Sequence, residues 1–413
     1  MKKNMKSFDR RIDYPLLLPV FLLLVIGMIS IYIAVSHDYP KSLSSHMLQQ
    51  GAWIFVGILI AFIVMHFNSR FLWLMTPWLY LLGLGLMVLP LFMVDQSVYE
   101  ATGARNWVSL NGHTLFQPSE LMKISYILLM ARVVTTYQGN LRKRYLSNDV
   151  ALIGFLTLVT VPVMILLKFQ NDFGTFLVFL AIFAGIVFVS GVSWKIILPI
   201  LLVTIVVAGG TLLLTTVDWG RDFLQSVGVS RYQIHRIDAW LDPFGSTRTS
   251  NTYQQTQGLI SIGIGGLTGY GFDVATLKVP VRESDMIYTV IGENFGFIGG
   301  VILLTIYYFL IYRMIRSTNK SNNQFYIYIS TGIIMMILFH VFENIGAAIG
   351  VLPLTGIPLP FISQGGSSII SNLIGVGLVL SMKYNQVGVA EHVEDLSYHS
   401  DGSVKYRRST RAK

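Results

Sequence analysis

Acidic side chains at the start of a long apolar run are the most informative chemical feature of this sequence. Glu283 and Asp285 lie where the polar segment 218–284 ends, and Glu293 follows inside the apolar run. An ionised carboxylate is costly in or at the edge of a membrane, so acids there usually serve chemistry or a substrate path. A carboxylate held in such a place can act as a general base and take a proton from a hydroxyl group.

The spacing of these residues leaves two interpretations of Asp285. At a rise of 1.5 Å per residue, Glu293 lies about 12 Å further along a helix and is turned by about 80°, so the two acids can line one cavity without touching. Arg282 stands beside them and adds a positive charge. The alternative is that Asp285 only caps the helix that follows and accepts hydrogen bonds from its first N–H groups.

Two further sites carry polar groups in apolar surroundings. Glu120 and Lys123 are three residues apart at the start of another apolar run, which places them on one helix face. Such a pair could hold an anionic head group or position another acid, and the alternative is a structural ion pair. Asp172 precedes Phe-Gly-Thr, so it is either part of a site or a simple helix N-cap.

The elements that must position these residues are membrane helices. The chain has 413 residues, of which 53% are hydrophobic and 12% are charged, whereas soluble domains carry about 25% charged residues. We predict an all-α polytopic membrane protein with ten transmembrane helices, and we exclude a soluble enzyme. The predicted spans are 14–36, 52–67, 72–94, 118–137, 149–168, 172–191, 195–217, 285–315, 325–351 and 366–384. The sequence contains no cysteine, which excludes disulfides and thiolate metal sites.

Charge distribution predicts the orientation of these spans. With the N-terminus inside the cell, most Lys and Arg residues fall on cytoplasmic segments, so both termini are predicted to be cytoplasmic. The net charge of +9 lies at loop ends, which argues against nucleic-acid binding. Segment 218–284 becomes a large extracellular loop between helices 7 and 8. Segment 386–413 is polar and basic, so we predict a disordered cytoplasmic tail after a transmembrane domain of residues 1–385.

Two segments between the spans are unlike ordinary connections. Loop 218–284 contains several large apolar residues, which favours short helices lying on the membrane, followed by a glycine cluster at 263–271. Segment 353–368 contains three prolines and ends in small residues, so it cannot form an ordinary helix. Irregular backbone at this depth must be buried in protein or line a wet cavity.

Several stretches together resemble the SEDS family (shape, elongation, division and sporulation), bacterial membrane proteins that polymerise peptidoglycan. The stretches are 103–108, 116–123, 172–175, 232–233, 240–243, 257–258, 263–271, 283–296 and 344–368. The resemblance extends to about residue 385, and Leu-Pro-Phe-Ile-Ser followed closely by Gly-Gly-Ser-Ser, within 359–368, is specific for the family. Segments 11–14 and 281–287 favour the elongation subfamily, RodA, over the division subfamily, FtsW.

The resemblance implies an inverting glycosyltransferase that polymerises lipid II into β-1,4 glycan at the outer face of the cell membrane. It assigns the essential aspartate of the family to Asp285 and a supporting pair to Glu120 and Lys123. Asp285 would take the proton from the 4-hydroxyl of the acceptor sugar. Arg105, Arg282 or a divalent cation, Mg²⁺ or Mn²⁺, would stabilise the leaving diphosphate.

Further residues in the matching stretches are predicted to bind substrate or support the site. These residues are Asp172, Glu293, Ser363 and Ser367. Three positions depart from the family pattern: Asn171 and Gln364 replace the usual proline and tyrosine, and Tyr270 replaces a basic residue. The loss of a basic residue at Tyr270 leaves the residues that bind the donor undetermined.

The same resemblance implies partners and leaves alternatives. The expected partners are lipid II, a class B penicillin-binding protein transpeptidase, and elongation-complex proteins such as MreC and MreD. One alternative function is a lipid II flippase, which would need a polar track across the whole membrane. The other is a non-catalytic scaffold that activates a penicillin-binding protein.

Overall fold

The structure, a computed structural model, describes most of the chain. The described residues are 11–94, 99, 103–110, 113–141, 143, 145–245, 250–319, 321 and 323–398. Within them the protein is almost entirely helical, which confirms the predicted all-α polytopic class. Part of the predicted C-terminal tail, residues 399–413, lies outside this range.

Ten long helices coincide with the ten predicted spans. We number them α1–α7 and α11–α13: Tyr14–Asp38, Leu43–Met65, Ser69–Val88, Pro118–Gly139, Leu146–Gln170, Phe173–Val189, Trp194–Thr215, Ile287–Asn319, Gln324–Ala348 and Gly366–Tyr398. Eight of them are long and apolar enough to cross a membrane by themselves, and α6 is a shorter apolar helix. The remaining one, α4, carries polar residues that are buried inside the bundle.

Three helices differ from the sequence prediction in ways that have a physical reason. Helix α2 begins at Leu43 rather than at 52, because its first two turns are polar and carry no hydropathy signal. Helix α11 is interrupted at Gly296, where φ is 61° and ψ is −158°, values that only glycine adopts readily. Helix α13 continues to Tyr398, past the predicted end of the domain at residue 385. Extending an existing helix costs much less than starting one, so the polar sequence does not stop it.

The segment between α7 and α11 folds against the end of the bundle. It contains three short helices, α8–α10: Asp218–Ser226, Arg231–Leu241 and Ser250–Gly265. A Cβ added at Gly269 would lie 2.2 Å from the Asn294 carbonyl oxygen, so this loop contacts α11 backbone to backbone. The glycine cluster therefore permits close packing of the loop against α11.

A small hairpin and an irregular segment complete this end of the molecule. Strands β1 (Val108–Leu110) and β2 (His113–Phe116) pair antiparallel just before α4. Segment 349–365, between α12 and α13, has no regular helix, as its prolines predict. Together with the loop before α11, it surrounds the acidic residues identified in the sequence.

Candidate active site

A strained turn places the acidic residues at the start of α11. Val281 has a φ of 54°, and the backbone N–H groups of Ser284 and Met286 both donate to the Val281 carbonyl, at 3.2 and 3.3 Å. A left-handed conformation costs a β-branched residue about 1–2 kcal/mol, so the surrounding structure must hold it. The turn directs Arg282, Glu283 and Asp285 into different surroundings.

Asp285 lies partly exposed at the end of this turn. Its Oδ1 atom accepts a hydrogen bond from the Ser284 hydroxyl at 3.0 Å. Its backbone carbonyl accepts a hydrogen bond from the Asn344 side chain at 2.8 Å, and the same amide also donates to Ile357 O at 2.8 Å. Asn344 therefore joins α12, the irregular segment and the turn at this point. Among the described hydrogen bonds, none runs from a helix N–H to the Asp285 carboxylate, so the capping interpretation gains no support.

A guanidinium group and a second acid lie beside Asp285. A Cβ added at Gly356 would lie 3.2 Å from Asp285 Oδ2 and 3.4 Å from Arg236 Nη2, so both groups face this glycine. Arg236 also donates to the Tyr232 hydroxyl at 2.8 Å, and its guanidinium carbon lies 4.7 Å from the centroid of the Tyr232 ring. These contacts orient the arginine on α9 toward the turn.

The second acid, Glu343, is buried on α12 with an exposed fraction of 2%. Its Oε1 atom accepts hydrogen bonds from the Thr355 backbone N–H, at 3.1 Å, and from the Thr355 hydroxyl. Its Oε2 atom is also buried and has no hydrogen-bond partner among the described residues. The hydrogen bonds between Glu343 and Thr355 hold the irregular segment next to Gly356. They leave Glu343 Oε2 as a buried acceptor near Asp285.

Burial and two neighbours set the acidity of Asp285. Burial raises the pKa of the Asp285 carboxyl above its usual range, while the Ser284 hydrogen bond and the Arg236 charge lower it. A carboxylate with a raised pKa is a stronger base once it is ionised. The arrangement therefore suits proton abstraction, with the arginine keeping the carboxylate ionised.

Arg282 and Glu293 form an ion pair beneath the turn, and both side chains are fully buried. Glu293 also accepts hydrogen bonds from Ser261 Oγ at 2.8 Å and from the Thr276 N–H at 2.6 Å. The prediction that Arg282 neutralises a diphosphate does not fit this position, because the guanidinium is enclosed and already paired. Glu293 likewise faces Arg282 rather than a cavity shared with Asp285.

The two predicted serines have different positions. Ser363 Oγ donates to the Ser284 carbonyl at 2.7 Å and accepts from the Leu359 N–H at 2.8 Å, so it supports the turn that carries Asp285. Ser367 accepts from the Gln117 N–H at 3.0 Å and contacts the start of α4 instead. Of the two serines, only Ser363 contacts the turn.

Glu120 and Lys123 form a buried ion pair of 2.9 Å inside the bundle, as their spacing predicts. The Lys123 ammonium also lies 2.9 Å from His340 Nε2. His340 Nδ1 lies 2.6 Å from the Met336 carbonyl, which can only accept, so Nδ1 carries the proton and Nε2 accepts from Lys123. The described contacts join this cluster to α12 and not to Asp285.

Loss of one partner of this cluster is expected to destabilise the fold. Lys123→Met leaves the Glu120 carboxylate buried without a cation, which costs about 3–5 kcal/mol. The free energy of unfolding in detergent measures the effect, and Glu120→Gln/Lys123→Met should recover most of the loss. Lys195→Met, at an exposed position, is the control. Equal stability of Lys123→Met and Lys195→Met would contradict a structural role.

Asp172 and Arg105 lie together at another point of the same end. Asp172 caps α6 by accepting from the Thr175 N–H at 3.0 Å, and its other oxygen accepts from the side chains of Asn106 and Gln117 at 2.8 and 3.1 Å. The Arg105 guanidinium stacks on Tyr99 at 4.5 Å. These contacts tie the hairpin region to α6 and do not reach Asp285.

No group of three or more His, Cys, Asp or Glu side chains in the described part of the chain is arranged to hold a metal ion. Magnesium is commonly held by one or two carboxylates together with substrate phosphates. Among the described residues near the turn, Asp285 is the carboxylate that would contribute to holding such an ion, which would supply positive charge.

The chain is similar to known proteins over most of its length. Residues 14–387 match the family profile of FtsW, RodA and SpoVE, described as cell cycle protein. A probable peptidoglycan glycosyltransferase FtsW of Nitrosomonas europaea is 29% identical over 90% of this chain and 93% of its own length. A chain of a peptidoglycan synthase complex that coordinates polymerisation and crosslinking is 29% identical, with a TM-score of 0.71 over 91% of this chain and 98% of its own. The rod shape determining protein RodA of Thermus thermophilus is 26% identical, with a TM-score of 0.62 over 91% and 97%.

Proposed function

Because this chain belongs to the FtsW, RodA and SpoVE family, we propose that it polymerises lipid II into β-1,4-linked peptidoglycan strands. The observation that carries the proposal is the partly exposed Asp285 carboxylate, which faces the Arg236 guanidinium across Gly356. A base and a cation in one place match the two needs of this reaction. The acceptor hydroxyl must lose a proton, and the leaving diphosphate must be stabilised.

The reaction inverts the anomeric carbon in a single displacement. The Asp285 carboxylate takes the proton from the 4-hydroxyl of the acceptor sugar while that oxygen attacks C1 of the α-linked donor. The C1–O bond to the diphosphate breaks, and the diphosphate leaves with the bonding electrons. Ser284 and Asn344 hold the carboxyl and its backbone in place by the hydrogen bonds described above.

Arg236, which the sequence prediction did not name, takes the role given there to Arg105, Arg282 or a divalent cation. Its guanidinium lies next to the base, whereas Arg282 is enclosed and paired. Arginine binds phosphate oxygens with two parallel hydrogen bonds, which suits a diphosphate. A Mg²⁺ or Mn²⁺ ion held by Asp285 and the diphosphate would add positive charge to the leaving group.

The chain is a multi-pass membrane protein, and we place Asp285 at its outer face. The positive-inside rule supports this orientation, because the two termini and the short segments at the opposite end together carry most of the basic residues. Both termini are then cytoplasmic. Elongation rather than division, a class B transpeptidase as the crosslinking partner, and contact with MreC and MreD form the finer part of the proposal.

Polymerisation of labelled lipid II by the purified protein tests the proposal. We expect lysozyme-sensitive glycan chains, with the protein supplied both alone and together with a class B transpeptidase. Absence of glycan under both conditions would reject the assignment. Transport of lipid II across sealed vesicles, measured with polymerisation blocked, identifies a flippase instead. A scaffold would support transpeptidase activity while forming no glycan in either preparation.

A further inference from the structure

The turn that carries Asp285 has a second polar face, built by Glu283. The backbone N–H of Gln364 donates to the Glu283 carbonyl at 2.9 Å, and the Gln364 side chain lies 2.7 Å from His46 Nδ1. His46 stacks on Tyr39, with ring centroids 6.2 Å apart. The negative charge of Glu283 raises the pKa of the Tyr39 hydroxyl. This face joins the end of α1, α2 and the irregular segment, whereas the Arg236 contacts involve α9 and Gly356.

Two buried acceptors on this face have no partner. Glu283 Oε2 and Gln364 Oε1 are both enclosed, and neither has a hydrogen-bond partner among the described residues. A buried polar atom without a partner costs about 1–3 kcal/mol, so a ligand that donates hydrogen bonds is favoured here. Sugar hydroxyl and N-acetyl N–H groups are donors of this kind, and aromatic rings such as Tyr39 pack against the apolar face of a sugar ring.

A polar cleft of about 210 Å³ lies next to this face, at the end of α1. His37, Asp38 and Lys278 line it together with segment 275–277. His37 lies 3.2 Å from Asp273, so the Lys278 ammonium and the Asp38 carboxylate of the cleft have a second acid beside them. This mixture suits a head group that carries both signs rather than a simple anion.

A separate apolar groove of about 250 Å³ lies beside α1. Met28, Ile29, Tyr32, Met47 and Phe272 line it, and Phe272 stacks on Tyr32 with centroids 6.5 Å apart. Asp273, the residue after Phe272, contacts Ser36 and His37, so the loop that lines the groove also runs beside the cleft. An apolar groove close to a polar cleft matches a lipid with a large polar head group.

We propose that this groove and cleft bind the second, acceptor lipid of the polymerisation reaction. The tail lies along Tyr32 and Phe272, the diphosphate meets His37 and Lys278, and the sugars extend across Glu283, His46 and Gln364. The 4-hydroxyl then reaches Asp285, because two residues of chain span at most about 7 Å. The donor lipid occupies the Arg236 face. This assignment rests on the proposed function, since only a transferase of two lipid-linked sugars needs both faces.

Kinetics with separated substrates test this assignment. A lipid-linked oligosaccharide whose terminal 4-hydroxyl is blocked can only donate, so labelled lipid II then serves as the acceptor. Glu283→Gln and Lys278→Ala should each raise the KM for the acceptor at least tenfold, as expected for loss of a hydrogen bond to a charged group. The KM for the blocked donor should change less than twofold. Lys195→Ala, at an exposed position, is the matched control for Lys278→Ala.

Other outcomes overturn the assignment. A rise in the KM for the donor alone would show that the cleft binds the other substrate. Unchanged values for both substrates would show that neither substrate occupies it.

Photocrosslinking separates this result from failure of the proposed function, because it needs no turnover. Lipid II with a photoreactive tail should label the segments that contain Met47 and Phe272. Unlabelled lipid II should compete, and phosphatidylglycerol should not. Equal competition by phosphatidylglycerol would show that the groove binds membrane lipids without selectivity. That result would reject the proposal even if the protein polymerises lipid II.

Discussion

Asp285→Ala is expected to lower glycan formation by roughly 100- to 10,000-fold, the contribution of a positioned general base. The carboxylate lies partly exposed beside Arg236, so its removal leaves the acceptor hydroxyl without a base while the leaving-group cation remains. The initial rate of labelled lipid II polymerisation by the purified protein measures the effect. The residual rate should no longer depend on pH in the range where the carboxylate ionises.

Matched variants separate this chemical effect from a folding defect. Asp285→Asn keeps the side-chain size and the hydrogen bond from Ser284, but its amide cannot take the proton. The polymerisation rate of Asp285→Asn should therefore fall as far as that of Asp285→Ala. Asp218→Asn removes an exposed acid from α8 and should retain the full rate. All three proteins should elute alike and unfold at similar temperatures. Retention of more than about a tenth of the rate by Asp285→Asn would contradict the assigned role.

Arg236→Gln is expected to reduce the rate by about 100- to 1,000-fold, as for loss of a group that stabilises developing negative charge. It should also move the acid limb of the pH–rate profile to higher pH. The direction of this shift follows from the role of Asp285 as a base. Asp285 acts when it is ionised, and the Arg236 charge lowers the pKa of its carboxyl. Without that charge the pKa rises, so the active form is lost at a higher pH.

Two comparisons identify the source of the Arg236 effect. Ser284→Ala removes a hydrogen bond that also lowers the pKa of Asp285, so its acid limb should move in the same direction while the plateau rate falls much less. Arg231→Gln, exposed on the same helix, should change neither quantity. A normal pH profile in Arg236→Gln would show that the arginine does not act on Asp285.

Features that depend on neighbours in the sequence could be predicted. Apolar runs located the spans, because the membrane imposes length and hydropathy on each helix independently. The three-residue spacing of Glu120 and Lys123 gave their ion pair, and the Asp-Phe-Gly-Thr pattern gave the helix cap at Asp172. In each case, residues within one helical turn determine the contact.

Features that depend on how distant segments pack could not be predicted. Arg236 was not identified, because its site also contains Gly356, which lies more than a hundred residues later in the chain. The spacing of Tyr232 and Arg236 on one helix face was the available signal. The role suggested for Arg282 failed for the same reason, since its partner Glu293 becomes a neighbour only when the turn folds back on α11.

One departure from the family pattern has a structural explanation. Asn171 ends α5 with a φ of 55°, a left-handed conformation that asparagine tolerates and that proline, fixed near −65°, cannot adopt. The usual proline would therefore require a different turn between α5 and α6. Gln364, which replaces a tyrosine, instead supplies the contact to His46 on the proposed acceptor face.

The left-handed Val281 has a consequence for engineering this protein. Glycine at this position would relieve the backbone penalty, so a screen for thermal tolerance would favour Val281→Gly. The same change would let the catalytic loop sample geometries in which the aspartate misses its target, and such a variant would survive heating while turning over slowly. Durability and speed thus compete at a single residue, and laboratory evolution for one should erode the other.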